Sequence, residues 1–408
     1  MIKLNVILFS LLAPVFVWSQ HFLPAHYDTT RNHGRIELSA GAFYHTSSLE
    51  NELSQKFIRG GHITDEIKDR SKNKHQLFNS LGGEIESEIT YIHGGEPYSD
   101  SSSFSWLARG GRSIQFAGAY SDDFYDLLFY GNADKIDQRI NVSNTRGFLV
   151  DSYKVGAGIY HKKSKSSVVL NAVFINDYLQ LNSGNNNILT SSSTGITEVR
   201  ADVLFDQAAS HTTFQGIGAS LDFDYYLPIR TEGLLDGFVQ ITGRNLGAGY
   251  ITKNQRTDVF GNYRFEGFAF DDLIDFRENS DLISNIEDSL NITTTTGGKW
   301  IALPGIVQIG KIVDNMSEKD IQFFFGARGY INRVFRPMVY FGSQYKLIDQ
   351  MNIGGQISYG GYGGLRGGIY ANYQMDKASI ALGTEDVLGA VSQRFFGQSI
   401  VLRLNYLL

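Results

Sequence analysis

Hydrophobic and polar residues alternate with a period of two through the C-terminal part of the chain. From Ile321 to Asn332 the odd positions carry Ile, Phe, Phe, Ala, Gly and Ile, while the even positions include Gln322, Arg328 and Asn332. Because successive side chains of a β-strand point to opposite faces, this pattern predicts strands with one apolar and one polar face. The alternation recurs in residues 339–346, 351–359, 365–374 and 399–408, with short turns between them.

These segments have the length of membrane-crossing strands. A tilted β-strand needs about 9 to 11 residues to cross the hydrocarbon layer, and the alternating segments are close to that length. A barrel must pair its last strand with its first, because this closure removes the exposed edges. The pattern that continues to Leu408 therefore predicts a closing strand, and the whole predicts a closed antiparallel transmembrane β-barrel.

Less regular strand patterns precede this region. We predict an even number of strands near fourteen, with twelve and sixteen as the alternatives. The earlier strands are predicted in residues 35–47, 81–92, 104–110, 114–120, 154–160, 167–179, 197–205, 214–227, 237–246 and 304–313.

The segment from residue 250 to residue 299 is too long to be a turn between two strands. Leu282, Ile283, Ile286 and Leu290 have helical spacing. No Asp-x-Asp-x-Asp-Gly calcium loop is present, so we predict a partly helical outer loop or plug. Its acidic residues are Asp271, Asp272, Asp275, Glu278, Asp281, Glu287 and Asp288.

The N-terminal residues have the pattern of a secretory signal. Lys3 precedes an apolar run from Val6 to Trp18, and Val17 and Ser19 fit the small-residue rule at a cleavage site. The run is shorter than the roughly 18 residues of a membrane anchor. We therefore predict a signal peptide over residues 1–19 and a single barrel domain over residues 20–408, located in the outer membrane of a Gram-negative cell.

Composition agrees with a barrel and excludes several other classes. The chain has 44 Gly, 22 Tyr and 28 Phe but only 6 Pro, and its mean hydropathy is −0.17. A barrel gives this profile because only alternate residues face lipid. With no cysteine, the chain has neither a disulfide framework nor a lipoprotein anchor. Its net charge of −6, evenly spread, gives no indication of nucleic-acid binding.

Three parts of the chain resemble a Bacteroidota outer-membrane β-barrel family of unknown function: residues 237–275, which begin GFVQITGRNLGAGY, the Leu-Pro-Gly at residues 303–305, and the final hairpins. That family is similar to the fatty-acid transporter (FadL-like) barrels. The resemblance implies a barrel in the outer membrane and a transport function for a hydrophobic solute. No catalytic or ligand-binding residue is established for the family, so the resemblance implies none here.

Motifs of enzymes and cofactor sites are absent from the sequence. No G-x-S-x-G elbow, HExxH helix, Walker loop or CxxC pair occurs. His21, His26 and His33 match no known metal-ligand spacing. The Gly-rich residues 354–368 lie in predicted strands and precede no helix, so packing explains them better than phosphate binding. We predict no catalytic residue, no metal and no cofactor.

Charged residues on the predicted inner face are the functional candidates. Glu84, Glu86 and Glu88 form an acidic row if Ile85 and Ile89 face lipid. The basic candidates on the opposite half are Arg328, Lys346, Arg366 and Arg403. Two interpretations stay open: the rows set a transverse field across an open pore, or the charges pair with each other or with a plug and fill a closed interior.

Two functions are compatible with these features. The first is a passive, porin-like channel or transporter for a small solute, and the resemblance favours a hydrophobic one. The second is a non-conducting accessory barrel of an outer-membrane secretion or assembly complex. The expected partners are outer-membrane lipid and lipopolysaccharide, with other outer-membrane or secretion-system proteins as further candidates.

Overall fold

The computed structural model describes residues 34–94, 103–209, 214–229, 237–265, 289–313, 319–332 and 334–408. Within these residues the strands belong to one sheet, and every strand pair is antiparallel. They are β1 Arg35–Thr46, β2 Phe78–Ile92, β3 Phe104–Ser121, β4 Arg139–Asn141, β5 Arg146–His161, β6 Ser166–Ser183, β7 Ile188–Ser191, β8 Thr197–Ala208, β9 Gly216–Ile229, β10 Gly237–Phe265, β11 Thr293–Ala302, β12 Ile306–Ile312, β13 Ile321–Tyr330, β14 Arg336–Ile348, β15 Met351–Gly361, β16 Arg366–Gln374, β17 Ala378–Thr384 and β18 Gly397–Leu407.

Fourteen of the described strands form a closed ring. Around the ring the order is β1, β2, β3, β5, β6, β9, β10, β12 and then β13 to β18. The ring closes where β18 pairs with β1, from Arg35 opposite Leu407 to His45 opposite Gly397. The prediction of a closed antiparallel barrel of about fourteen strands is confirmed.

The outer face of the barrel wall is apolar and its inner face is polar, the reverse of a water-soluble protein. On β13, the outward Phe325 is 43% exposed, whereas the inward Gln322 is 4% exposed. Outward apolar residues such as Phe341, Ile357 and Ile369 are likewise exposed around the ring. An apolar exterior around a polar interior is the arrangement of a barrel that lies in lipid. The chain is therefore an outer-membrane β-barrel.

Replacing Phe325 by Arg should lower the free energy of unfolding by about 2 to 4 kcal/mol, because the charge would lie near the middle of the bilayer. Phe325 stands at the centre of β13, and Phe325→Leu is the matched control that keeps the surface apolar. Urea unfolding in lipid vesicles measures the difference. Equal losses for both variants would contradict the outward orientation of Phe325.

Four strands extend the wall beyond the ring. The first part of β10 pairs with β9 and β12, β11 pairs with it from Ala248, and β8 pairs with it from Asn254. β8 also pairs with β7, which pairs with β4. The second part of β10 and most of β11 lie within the segment that the sequence predicted as a loop. The prediction was wrong for residues 250–265, which continue β10, and for residues 293–299, which begin β11. Residues 266–288, with Leu282, Ile283 and Ile286, lie outside the described residues.

Two further strand predictions were wrong. Residues 104–110 and 114–120 form one continuous strand, β3. The polar Arg112 interrupts the apolar face there, but Gly110 and Gly111 pair normally with β2. β17 was missed because its small residues, Ala378 to Thr384, alternate only weakly. The predicted signal peptide lies outside the described residues and stays a prediction.

The two ends of the barrel differ. One end carries the two described chain ends and short connections, such as residues 162–165, 349–350 and 375–377. The other carries the extension and the helices α1 Asn51–Arg59, α2 Asp65–Lys72, α3 Asp122–Phe129 and α4 Val387–Val391. Because outer-membrane barrels have short periplasmic turns and longer outer loops, the second end is external. Within the described residues, none of the helices is both long and apolar enough to span a membrane.

Candidate functional site

Seven ionisable side chains meet inside the barrel, and we refer to them as the lumen network. Each lies at an inward position of its strand, and none is more than 7% exposed. The members are Glu86 and Glu88 of β2, Arg109 of β3, Lys154 of β5, Asp222 and Asp224 of β9 and Arg244 of β10.

Lys154 and Arg109 are the centres of the network. The Lys154 Nζ lies 2.7 Å from Glu88 Oε2 and 3.4 Å from both Glu86 Oε1 and Asp222 Oδ2. The Arg109 guanidinium lies 3.0 Å from Glu88 Oε1 and 3.1 Å from Asp222 Oδ2. Both cations therefore connect β2 with β9, which are not neighbours in the ring.

Arg244 and a backbone amide complete the network on the β9 side. Arg244 Nη2 donates to Asp224 Oδ2 at 2.6 Å, and the Asn245 amide donates to Asp222 Oδ1 at 2.7 Å. Burying charges costs several kcal/mol per ion unless they are paired. The pairing explains why these charges are tolerated, and ionisable groups at membrane depth are by default candidates for a solute pathway.

Aromatic side chains close the external end of the lumen. Phe43 of β1, Tyr330 of β13, Val334 and Phe335 after β13, and Tyr362 after β15 form this mouth cluster. The Phe335 ring lies 4.4 Å from the Tyr330 ring and 5.0 Å from the Tyr362 ring, measured between centroids. The Tyr330 hydroxyl donates to Glu84 Oε2 at 2.9 Å. Because β2 and β13 lie on opposite sides of the ring, this bond crosses the lumen.

Gly82 makes room for the mouth cluster on β2. A Cβ at this position would lie 2.6 Å from the Tyr362 ring, so the ring packs directly on the glycine backbone. Ser80 Oγ donates to the Tyr362 carbonyl at 3.0 Å, and Asn332 Nδ2 donates to the Tyr362 hydroxyl at 3.1 Å. The chain segments that follow β13 and β15 are thus held inside the barrel against β2.

The wall opposite the lumen network carries a cluster of aromatic side chains. Phe324 and Tyr370 have ring centroids 6.1 Å apart, and the Tyr370 hydroxyl donates to Gln344 at 2.9 Å. Tyr340 packs beside Phe324. The described lumen therefore has the charged network on β2 to β10, and an aromatic cluster on β13 to β16 that lies on the same strands as the buried Arg328 and Arg366.

No protein-family model matches this chain. No curated protein matches it either. Among solved structures, a Pseudomonas aeruginosa FadL homologue is 10% identical with a TM-score of 0.41, over 92% of this chain and 90% of that chain. The P. putida toluene transporter TodX is 9% identical with a TM-score of 0.37, over 92% and 88%. The Ralstonia pickettii toluene transporter TbuX is 8% identical with a TM-score of 0.34, over 92% and 89%.

At such identities and TM-scores the comparisons carry no argument about function. The strand pairing within this chain, and not the comparisons, shows that the barrel is closed. The Bacteroidota part of the resemblance stays a prediction.

The structure places the predicted acidic row inside the barrel, but with partners that the sequence did not indicate. Glu86 and Glu88 contact Lys154 of β5 and Arg109 of β3, which lie on the same half of the ring. Glu84 accepts hydrogen bonds from Gln115 at 2.6 Å and from Tyr330. The Tyr330 contact crosses the interior, and the pairing of the carboxylates agrees with the interpretation in which the charges fill it.

The predicted basic residues do not form one row. Arg328 is buried and lies 3.0 Å from Glu385. Lys346 lies 2.9 Å from Asp349, next to the turn at the periplasmic end. Arg366 is buried near Met338, and Arg403 is half-buried on β18. The structure therefore does not show the predicted arrangement, in which an acidic row faces a basic row across the lumen.

Five network members were missed by sequence reasoning: Arg109, Lys154, Asp222, Asp224 and Arg244. Asp222 and Asp224 lie two residues apart within a strand that was predicted correctly, and this spacing was the available signal. No group of acidic or histidine side chains that could hold a metal ion occurs in the described part of the chain.

Helices α1, α2 and α3 form a cap at the external end, around Leu53, Ile67, Tyr120 and Tyr125. His75 follows α2 and packs on Tyr125, with ring centroids 4.2 Å apart. Its Nδ1 lies 3.3 Å from Asp122, which would favour the protonated ring. Burial has the larger effect and lowers the pKa of His75 to about 4.

The cap should lose stability as the pH falls from about 6.5 to about 4. In this range the unfolded segment binds a proton at His75 that the folded cap does not bind, because the folded pKa lies below the unfolded pKa. Amide hydrogen exchange of α1 and α2 at several pH values measures this effect. His75→Phe should remove the dependence, and an unchanged pH profile in that variant would contradict this role of His75.

Proposed function

We propose that the protein is a passive transport barrel for a small solute with both an apolar part and an ionised group, and that its lumen is closed in the resting state. The observation that carries this proposal is the lumen network. A barrel interior could be filled with neutral side chains at lower cost, since buried ion pairs often stabilise no better than apolar residues of similar volume.

The two sides of the lumen support this solute class. The charged side offers Lys154, Arg109 and Arg244 together with carboxylates, so that an ionised group of either sign finds a counter-charge. The aromatic side offers Phe324, Tyr340 and Tyr370 to an apolar part. A purely apolar solute, as the resemblance implies, would leave the network without a role.

A second function is favoured by one contact. The Tyr330 to Glu84 hydrogen bond crosses the lumen, and a permanently filled barrel would suit a non-conducting accessory subunit of an outer-membrane secretion or assembly complex. Strand β11 extends beyond the ring and is mostly exposed, so such a partner could pair with its backbone.

Solute entry into proteoliposomes separates the two functions. Liposomes with the purified protein are mixed with phenylacetate, phenethylamine, toluene or arabinose, and entry is compared with protein-free liposomes. We expect phenylacetate or phenethylamine to enter faster than arabinose. Acceleration of toluene alone would support a hydrophobic-solute transporter, and no acceleration of any solute would support the accessory barrel.

A further inference from the structure

An apolar groove of about 690 Å³ lies between the cap and the outer wall of the barrel. Its floor consists of the outward side chains of Ala42, Ile85, Phe116 and Ile400. Its roof includes Phe57 of α1 and Leu128 of α3, which are 52% and 54% exposed. The floor is thus part of the wall that faces lipid, and the groove is continuous with that interface.

The groove is held open by defined contacts. The Tyr44 hydroxyl and Ser54 Oγ are 2.7 Å apart and join β1 to α1. The Phe57 and Phe129 rings are 6.1 Å apart and join α1 to α3. Asn51 Nδ2 donates to the Gly397 carbonyl at 2.9 Å and fixes the start of α1 on β18. The roof is therefore anchored to two strands, β1 and β18, and does not collapse onto the floor.

Basic residues lie beside this apolar surface. Arg59 follows Ile58, which lines the groove, at the end of α1. Arg394 is exposed and adjoins Gln393, whose carbonyl accepts from the Glu52 amide at 2.9 Å. The carboxylates of α3 do not oppose them, because Asp122 binds Lys72 at 2.8 Å and Asp123 binds Lys135 at 2.7 Å. A basic side chain therefore lies near each end of α1, Arg394 beside its start and Arg59 at its last residue.

We propose that the groove binds an acyl chain of a lipid A molecule of the outer leaflet, with phosphates of the lipid A headgroup at Arg59 and at Arg394. The lipid-facing floor, the position at the external end and the basic rim each match one part of this amphipathic lipid. The proposal goes beyond the transport function and does not depend on it.

Native mass spectrometry of the purified protein, with bis-phosphorylated or dephosphorylated lipid A added in detergent, tests the proposal. We expect the wild type to retain the phosphorylated lipid in preference. Phe57→Ser with Leu128→Ser should lower retention of both lipids by about tenfold, which corresponds to about 1.4 kcal/mol. Arg59→Gln with Arg394→Gln should remove the preference for phosphate and leave retention of the dephosphorylated lipid unchanged.

Two control variants make the result specific. Ile357→Ser changes an exposed apolar residue elsewhere on the barrel wall, and Lys377→Gln removes a charge at the periplasmic end. Both should bind lipid A as the wild type does. The slower migration of each variant after heating verifies that it is folded, and Phe57→Ser alone replaces the double variant if that one is not. Equal retention by groove and control variants, or displacement of the lipid by phenylacetate or toluene, would overturn the proposal. Solute entry into proteoliposomes is a separate readout, so its failure would leave this result intact.

Discussion

Replacing Lys154 by methionine should lower the free energy of unfolding by about 3 to 5 kcal/mol, because the change removes one partner from buried ion pairs. The Lys154 ammonium lies among the carboxylates of Glu86, Glu88 and Asp222. Without it, Glu88 keeps the Arg109 guanidinium at 3.0 Å as a cationic partner. Urea unfolding measures the loss, with the gel shift between folded and heated protein as the readout.

An exposed ion pair provides the control for this prediction. Arg256 and Asp258 lie 2.8 Å apart on the extension, where both are accessible to water. Arg256→Met should change the stability by at most about 1 kcal/mol, since water and salt screen such pairs. If Lys154→Met were no more damaging than Arg256→Met, the lumen network would have to be hydrated, and the lumen would be open at this level.

The double variant Lys154→Met with Glu88→Met gives a further comparison. Removing a cation together with its main anion leaves less uncompensated charge than removing the cation alone. We therefore expect the double variant to be more stable than Lys154→Met. A loss equal to the sum of the two single losses would mean that Lys154 and Glu88 do not interact.

The fold could be predicted from the sequence because lipid and lumen impose a period of two on every strand of the ring. Where the chain leaves the membrane, this constraint ends and the prediction failed. The second part of β10 and most of β11 belong to the extension, and every residue from Thr293 to Gly298 of β11 is exposed. With few buried positions to impose alternation, residues 250–265 and 293–299 had the pattern of a loop.

The site was less predictable because its contacts join distant parts of the chain. The alternation placed Glu86 and Glu88 inside, but their partners depend on which strands are neighbours and in which register. Lys154 reaches Glu88 because β3, which lies between their strands, pairs with both β2 and β5. Sequence periodicity gives the face of a residue but neither the order of strands in the ring nor the register.

The sequence also could not predict that the connections after β13 and β15 fold into the barrel. They appeared as short loops, and nothing in their composition shows that they enter the barrel. Their inward position depends on Tyr362, which packs where Gly82 has no side chain. A glycine in a strand indicates a close approach by some other group, but it does not identify Tyr362 as that group.

Replacing Tyr362 by alanine should convert a non-conducting barrel into a conducting one. The change removes the ring that packs on Gly82 and the hydroxyl that accepts from Asn332. The segment after β15 then loses its packing on β2 and keeps only the hydrogen bond from Ser80 to the backbone carbonyl of residue 362 among the contacts described above, so we expect it to leave the lumen. Planar-bilayer recordings should show little current for the wild type and discrete current steps for Tyr362→Ala. The matched control is Tyr373→Ala, which removes an exposed ring from the outer face of β16.

The ion preference of the Tyr362→Ala current reports on the groups that line the opened path. The lumen network contains four carboxylates, Glu86, Glu88, Asp222 and Asp224, against three basic side chains, Arg109, Lys154 and Arg244. Because fixed charge in a narrow lumen sets the local concentration of counter-ions, a potassium chloride gradient should give a reversal potential that favours the cation. Adding Asp224→Asn should reduce this preference, since it leaves Arg244 without its 2.6 Å partner. A folded Tyr362→Ala protein that carries no current would show that the mouth cluster is not what closes the barrel, and a preference for chloride would mean that the open path avoids the network.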